Sequence, residues 1–323
     1  MKYNFDIQEV SRAVATDFVQ SLHYSKIMPK LTKHFLGCYL ESELVGVLTL
    51  GWGTQPKATI AKLFNDKNFC RVKFNGKKYV SEDLDTKDYY EIGKMCMKEE
   101  MPRNSESQML AAVVKWMKEN CAEKKFLYTW ADGIMGKPGY VYQAANFLYG
   151  EFIWTQIYIS EKGEKIHPRS SRRLCDENVK FKLDKEIELR KQIKEADWIA
   201  KLTETKFWKR YAKELRKSQF FHGKKGERIY WLTQDFLDHK GITKVFGKQF
   251  RYILPLNKKA KKLLKKSKVE WTLEYPKGKD LVWDKSSING RQRLDGMPYI
   301  DGDMTEYNTK NVNAHRGTLE NFI

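Results

Sequence analysis

Residues 125–147, KFLYTWADGIMGKPGYVYQAANF, pass from a strand-like apolar run at 125–130, through a glycine- and proline-rich loop, into a helix beginning near Tyr140. Asp132 stands just past the strand, and Tyr140 and Tyr142 stand at the helix start. A junction holding an acid, three glycines, a proline and two tyrosines spends backbone order that a packing segment would keep. Strand-end loops of this composition hold polar groups over a cleft. The plainer alternative is a turn formed by Asp132 beside Gly133, with half-buried tyrosines behind it.

The flanking sequence supplies a sheet for that junction. Residues 6–20 carry Ile7, Val10, Val14 and Phe18 at helical spacing, which predicts a short helix. Apolar runs at 34–40 and 44–50, joined by Glu41-Ser42-Glu43, predict a β-hairpin, in which His34 reads as structural. Residues 52–88 are polar and lysine-rich without clear periodicity. A strand at 89–98 then leads to a helix at 105–120, where Ser105 and Gln108 have capping-box spacing and Met109, Leu110, Val113, Val114 and Met117 form an apolar stripe. A final pair of strands lies in 148–160. This order predicts an α/β fold on a mixed sheet flanked by helices. The N-terminus of the 105–120 helix offers backbone N–H groups at Arg103, Asn104, Ser105 and Ser107, a seat for a phosphate or carboxylate of a cofactor.

Composition narrows the class. The chain has 323 residues, 41% of them hydrophobic, enough for a substantial core and roughly two domains. No apolar stretch approaches the ~18 residues of a membrane span and no secretory signal is visible, so a cytoplasmic protein without a membrane partner is expected. Five scattered cysteines without a CxxC pair read as packing residues, and no metal-ligand spacing is present. The net charge of +19 is concentrated in residues 161–280, with 34 Lys and Arg against 17 Asp and Glu. Such an excess predicts a polyanionic partner, nucleic acid first, because lysines and arginines on phosphates release condensed counterions. Three stretches carry it: Lys209, Arg210, Arg216 and Lys217 on a predicted helix; Lys224, Lys225 and Arg228 in a loop; and Lys258, Lys259, Lys261 and Lys262 on an amphipathic helix. The expected organisation is a catalytic domain at 1–160, a basic, mostly helical nucleic-acid-binding extension at 161–280, and a polar tail at 281–323.

Four blocks in order carry a family resemblance: HYSKIMP (23–29), EIGKMCMKEEMPRNSESQML (91–110), YTWADGIMGKPGYVYQAANFLYGE (128–151) and FRYILPLNKKAKKLL (250–264). Together they resemble the Mom family of phage DNA-modification proteins. The hairpin GCYLESELVGVLTL (37–50), followed by a strand and a phosphate-facing helix, resembles the Gcn5-related N-acetyltransferase fold. The resemblance implies transfer of a carbamoylmethyl, glycinamide-like group to the exocyclic amine of adenine, protecting phage DNA from restriction. Carried onto this chain, it implies His23, Asp132 and Tyr142 as catalytic candidates. A histidine near neutrality exchanges protons, an aspartate can orient it or take the amine's proton, and a tyrosine can protonate a leaving group or stack on a base.

The fold would take acetyl-coenzyme A or a related donor, although the sequence leaves the donor unknown. The stretch Pro102-Arg103-Asn104-Ser105-Glu106-Ser107 departs from acetyltransferases in having no glycine for close approach to a pyrophosphate. DNA would be the partner, as a duplex with base flipping or as a single strand. Two other readings stay open: an acyltransferase for a small-molecule or protein amine or a modified pyrimidine, and a non-catalytic nucleic-acid-binding protein on a degenerate acetyltransferase scaffold.

Overall fold

The computed structural model describes residues 3–53 except 24 and 26, residues 86–166, residues 232–298 except 268, and isolated positions at 56, 59 and within 174–188. The chain divides into two compact units: Met1–Thr155, Gly247–Trp283 and Asp295–Met297 form the first, and Gln156–Phe246, Asp284–Leu294 and Pro298–Ile323 the second.

In the first unit, β1 (Asp6–Glu9) pairs antiparallel with β2 (Thr32–Leu40), β2 with β3 (Glu43–Gly51), and β3 with β4 (Tyr89–Met97). Strand β5 (Phe126–Ala131) then lies parallel to β4, and β8 (Thr243–Pro255) lies antiparallel to β5. Beyond β8 comes β6 (Leu148–Ile159); β6 and β8 each run from one unit into the other. The architecture is therefore α/β on a mixed sheet. The β2–β3 hairpin closes through Glu41 and Ser42, both with positive φ (50° and 72°), the mirror-image turn that matches strand twist. Helix α1 (Arg12–Leu22) packs on β2, β3 and β4, while α2 (Ser105–Asn120) packs on β1, β4 and the short α3 (Tyr140–Ala144). Between α2 and the sheet lies the largest core, with Leu48, Leu50, Ile92, Met109, Val113, Leu127 and Phe250 among its buried members.

Several expectations change at this level. The helix expected over 6–20 is a strand followed by a helix, because the Ser11 hydroxyl accepts from the Val14 amide and starts the helix there; the buried face is then Ala15, Thr16, Val19 and Gln20, with Val14 exposed. Helix α2 starts at Ser105, but its N-cap is Asn104 in the left-handed region, so the capping box does not form; the Gln108 side chain instead accepts from the Tyr3 amide. The strand pair expected in 148–160 is one strand, β6, in which Glu151 takes a positive φ of 62°. Within the expected helical extension, residues 243–255 form β8, an inner strand with Val245, Phe250, Tyr252 and Ile253 buried, so 247–283 belongs with the first unit.

In the second unit β7 (Lys165–Ile166) pairs with the end of β6, and Tyr158, Ile166, Leu174, Leu232, Phe236 and Ile242 form a small core under α4 (Gln234–His239). Strands β9 (Trp283–Ser287) and β10 (Gly290–Leu294) form a hairpin, with β9 also paired to β8, in a region expected to be a tail; residues 299–323 lie outside the described residues. Helix α5 (Lys258–Leu264) follows β8 in the first unit. Among the described residues no helix is long and apolar enough to cross a membrane.

Candidate active site

The parallel ladder between β4 and β5 is short. It joins Tyr89 to Phe126, Tyr90 to Leu127 and Glu91 to Tyr128, and then stops. Past that point β4 stays paired with β3 and β5 with β8, where Thr129, Trp130 and Ala131 face Tyr252, Arg251 and Phe250. The cause lies in β4: the register shifts between Thr49 and Leu50, Gly93 is the extra residue, and the Lys94 amide donates to the Thr49 hydroxyl at 2.9 Å. A gap therefore opens at the carboxyl ends of two parallel strands, the place where open α/β sheets bind ligands.

Asp132 sits at the β5 side of this gap. Its backbone carbonyl accepts from the Met135 and Lys137 amides, closing the loop, and its Oδ1 accepts from Gln249 Nε2 at 3.1 Å. Tyr142 reaches the same place from α3. It is buried against Phe147 and Tyr252, with ring centroids 5.6 and 5.4 Å away. Burial first, and then the charge of Asp132, push its phenol above the usual tyrosine value, while a side-chain hydrogen bond with Thr129 pulls the other way. The phenol is thus neutral near neutral pH, a proton donor rather than a base. Asp132, after β5, and Tyr142, on α3, lie within electrostatic reach of each other. Gly139, with φ of 93°, lets the start of α3 come close to β8: a Cβ there would meet the Tyr252 ring at 2.6 Å.

His23 is placed differently. It caps the C-terminus of α1, its amide donating to the Val19 carbonyl and its Nδ1 accepting from the Ser25 amide at 2.9 Å. His34, by contrast, is structural as expected, held between Glu9 and the Tyr90 hydroxyl and packed edge-on to Trp116.

The turn before α2 fits a coenzyme pyrophosphate poorly. Ser105 is buried and gives its hydroxyl to the Pro102 carbonyl, Ser107 gives its own to the Asn104 carbonyl, and the Glu106 carboxylate stands in the first turn. Arg103 and Asn104 are exposed, and Arg103 is the cation available there. On α5, Lys258, Lys259, Lys261 and Lys262 are all exposed while Ala260 and Leu264 are buried, the amphipathic helix expected from the sequence; Asn257 caps it. Lys209, Arg210, Arg216, Lys217, Lys224, Lys225 and Arg228 lie outside the described residues.

The profile of the Mom protein family matches residues 4–219, two thirds of the chain. The chain belongs to the Mom family. It is also 28% identical over 141 residues to the methylcarbamoylase mom of Escherichia phage Mu, a match covering 44% of this chain. The chain spans about half the length, 51%, of this curated relative. The Mom-family match contains His23, Arg103, Asp132, Tyr142, Lys209 and Lys217, and it ends before Lys224 and the whole of β8 and α5.

Several groups behind the site were not legible in the sequence. Gln143 is buried and donates to the Pro276 carbonyl at 2.9 Å and the Tyr252 hydroxyl at 3.1 Å, while Lys277 donates to its oxygen at 3.2 Å. The Gly278 amide donates to the Tyr140 hydroxyl, so the segment 276–280 is tied to both ends of the first turn of α3. Gln249 and Tyr252 come from β8, more than 100 residues away in sequence, and no local spacing could announce them. One signal was available: Arg251 interrupts an apolar strand run, and an arginine there must find buried company.

Proposed function

We propose that this chain is a transferase that modifies adenine in DNA, placing a carbamoylmethyl group on the exocyclic nitrogen. The reading is supported by the place of Asp132 at the carboxyl end of β5, where the ladder with β4 has stopped, within electrostatic reach of the buried Tyr142, on a member of the Mom family. The short parallel pair with its bulge at Gly93 also supports an acetyltransferase-like fold.

In this reading the adenine amine attacks the carbon of an electrophilic carbamoylmethyl donor. The nitrogen–carbon bond forms as the bond from that carbon to its leaving group breaks. Asp132 takes the proton shed by nitrogen, and Tyr142, kept protonated by burial, supplies a proton to the leaving group. Gln249 holds the carboxylate in place, and Thr129 holds the phenol. His23 would serve as a further proton-exchanging imidazole. The donor is defined by its electrophilic carbon alone, since the turn at 102–107 gives little support to coenzyme A bound through its pyrophosphate. Because the amine is paired in duplex DNA, the base must leave the stack or come from a single strand. The exposed lysines of α5 suit the backbone of such a substrate.

Nucleoside mass spectrometry of plasmid DNA from cells producing the protein tests the reading. Adenine carrying the added group is expected with the native chain and absent with Asp132→Asn. Unmodified adenine beside soluble native protein would end it. A second reading, nucleic-acid binding without turnover, draws on the occupied hydroxyls of the 102–107 turn; it predicts DNA binding with no mass added.

A further inference from the structure

The hairpin β9–β10 joins the sheet through β9, which pairs with β8, and β10 is exposed along most of its length. Its loop is Ile288-Asn289, and Ile288 is 82% exposed. Two-residue hairpin loops favour asparagine, aspartate and glycine; a β-branched apolar residue there contributes nothing to burial. Gly290 already supplies the positive φ, 108°, and the Ser287 hydroxyl donates to the Gly290 carbonyl to close the turn. Isoleucine at this apex is therefore surplus to the turn.

The flanking charges are specific. Lys285, Arg291 and Arg293 are exposed, with Arg293 bound to the buried Asp284 at 2.7 Å. Arg291 lies 3.7 Å and Lys244 5.0 Å from the centroid of one ring, Phe246. Two cations on one aromatic ring repel each other: burial, and then Arg291, hold the Lys244 ammonium below its ordinary value. A backbone phosphate has the charge that complements both cations.

Trp283 and Met297, which belong to the first unit, are held at the loop that follows β5. The Trp283 indole donates to the Ile134 carbonyl at 2.9 Å, and Met297 lies against Gly136, 3.4 Å from where a Cβ would stand.

We propose that the β9–β10 hairpin engages duplex DNA, with Ile288 as a wedge between base steps and Lys244 with Arg291 on a backbone phosphate. The inference rests on the reading of the chain as a DNA-modifying enzyme and extends it to how a paired base is released. A two-stranded ribbon fits a DNA groove, and exposed isoleucines, leucines and phenylalanines are the side chains that proteins drive into base steps.

The test uses the full-length protein and a duplex carrying a fluorescent aminopurine in place of one adenine, so that unstacking is read without any transfer chemistry. The native chain should raise the fluorescence saturably. Ile288→Ala should bind the duplex within about threefold of native affinity, because phosphate contacts dominate affinity, yet lose most of the signal. Lys244→Ala with Arg291→Ala should weaken binding and reduce the salt slope by up to about 2. An undiminished signal from Ile288→Ala, or none from the native protein, overturns the proposal. Nucleoside mass spectrometry on the same samples separates the two ideas. Mass added without an Ile288-dependent signal sinks the wedge and leaves the transferase; a signal without added mass does the reverse.

Discussion

Tyr128 and Thr129 are neighbours on β5 that face opposite sides of the sheet and meet opposite circumstances. On the Thr129 side, polar side chains hold one another in place: Tyr142 with Thr129, Tyr252 with the Pro138 carbonyl, Gln143 with Tyr252 and Pro276. On the Tyr128 side, the phenol is fully buried and finds no hydrogen-bond partner among the described residues. It packs in the core of Tyr89, Phe126 and Ile253, with Trp130 edge-on, and the fully buried Arg251 lies within electrostatic reach, 5.8 Å from the Trp271 ring. A strand's period of two has set hydrogen-bonded polar groups beside the largest core on one face and the Tyr128 phenol, with no such bond, on the other. A tyrosine's value to chemistry therefore depends on its neighbours, not on its type.

The contrast can be broken most sharply at Asp132. Asp132→Asn should lower the rate of transfer by roughly 10²–10⁴, the usual contribution of a positioned acid–base group, with the melting temperature nearly unchanged. Single-turnover kinetics beside a thermal melt would read both. On the opposite face the effect should move from rate to stability. Arg251→Ala should destabilise the fold by about 3 kcal/mol in denaturant unfolding, because a large side chain with no exposed surface is lost. A cost below about 0.5 kcal/mol would mark Arg251 as a surface-like cation and dissolve the contrast.

Smaller effects sharpen it. Tyr252→Phe gives up hydrogen bonds with Pro138 and Gln143 and should cost about 1 kcal/mol, whereas Tyr128→Phe removes a hydroxyl without such a bond and should cost nothing or stabilise slightly. The smallest expected signal is chemical. Burial pushes the Cys38 and Cys96 thiols up to about 12, so both remain protonated until strongly alkaline pH. Alkylation of the native protein at about pH 8 should leave them unlabelled in peptide mapping, since only the thiolate reacts.

Local patterns carried much of this to the sequence. The hairpin at 37–50, the 105–120 helix and the 125–147 junction were legible because strand alternation, helical spacing and glycine loops act within a few residues. Asp132 and Tyr142 stand out as candidates because they share one such junction. The start of α1 was not, because Ile7 and Val10 fit a helical stripe as well as a strand, and only the Ser11 cap and the pairing with β2 choose between them. β8 was hidden by its setting in a lysine-rich stretch: the average charge masked an apolar run whose partners, β5 and β6, are remote in sequence. The exposed hairpin at 283–294 was hidden for the converse reason, since its strands bury little and leave no alternation to detect.

The most direct measurement compares two tyrosines in one assay: nucleoside mass spectrometry of DNA from cells making the native chain, Tyr142→Phe or Tyr128→Phe at matched soluble levels. Modified adenine is expected with the native chain and with Tyr128→Phe, and a severe loss with Tyr142→Phe. Full modification by Tyr142→Phe, or equal loss in both variants, would contradict the assignment of the chemistry to the Thr129 face of β5.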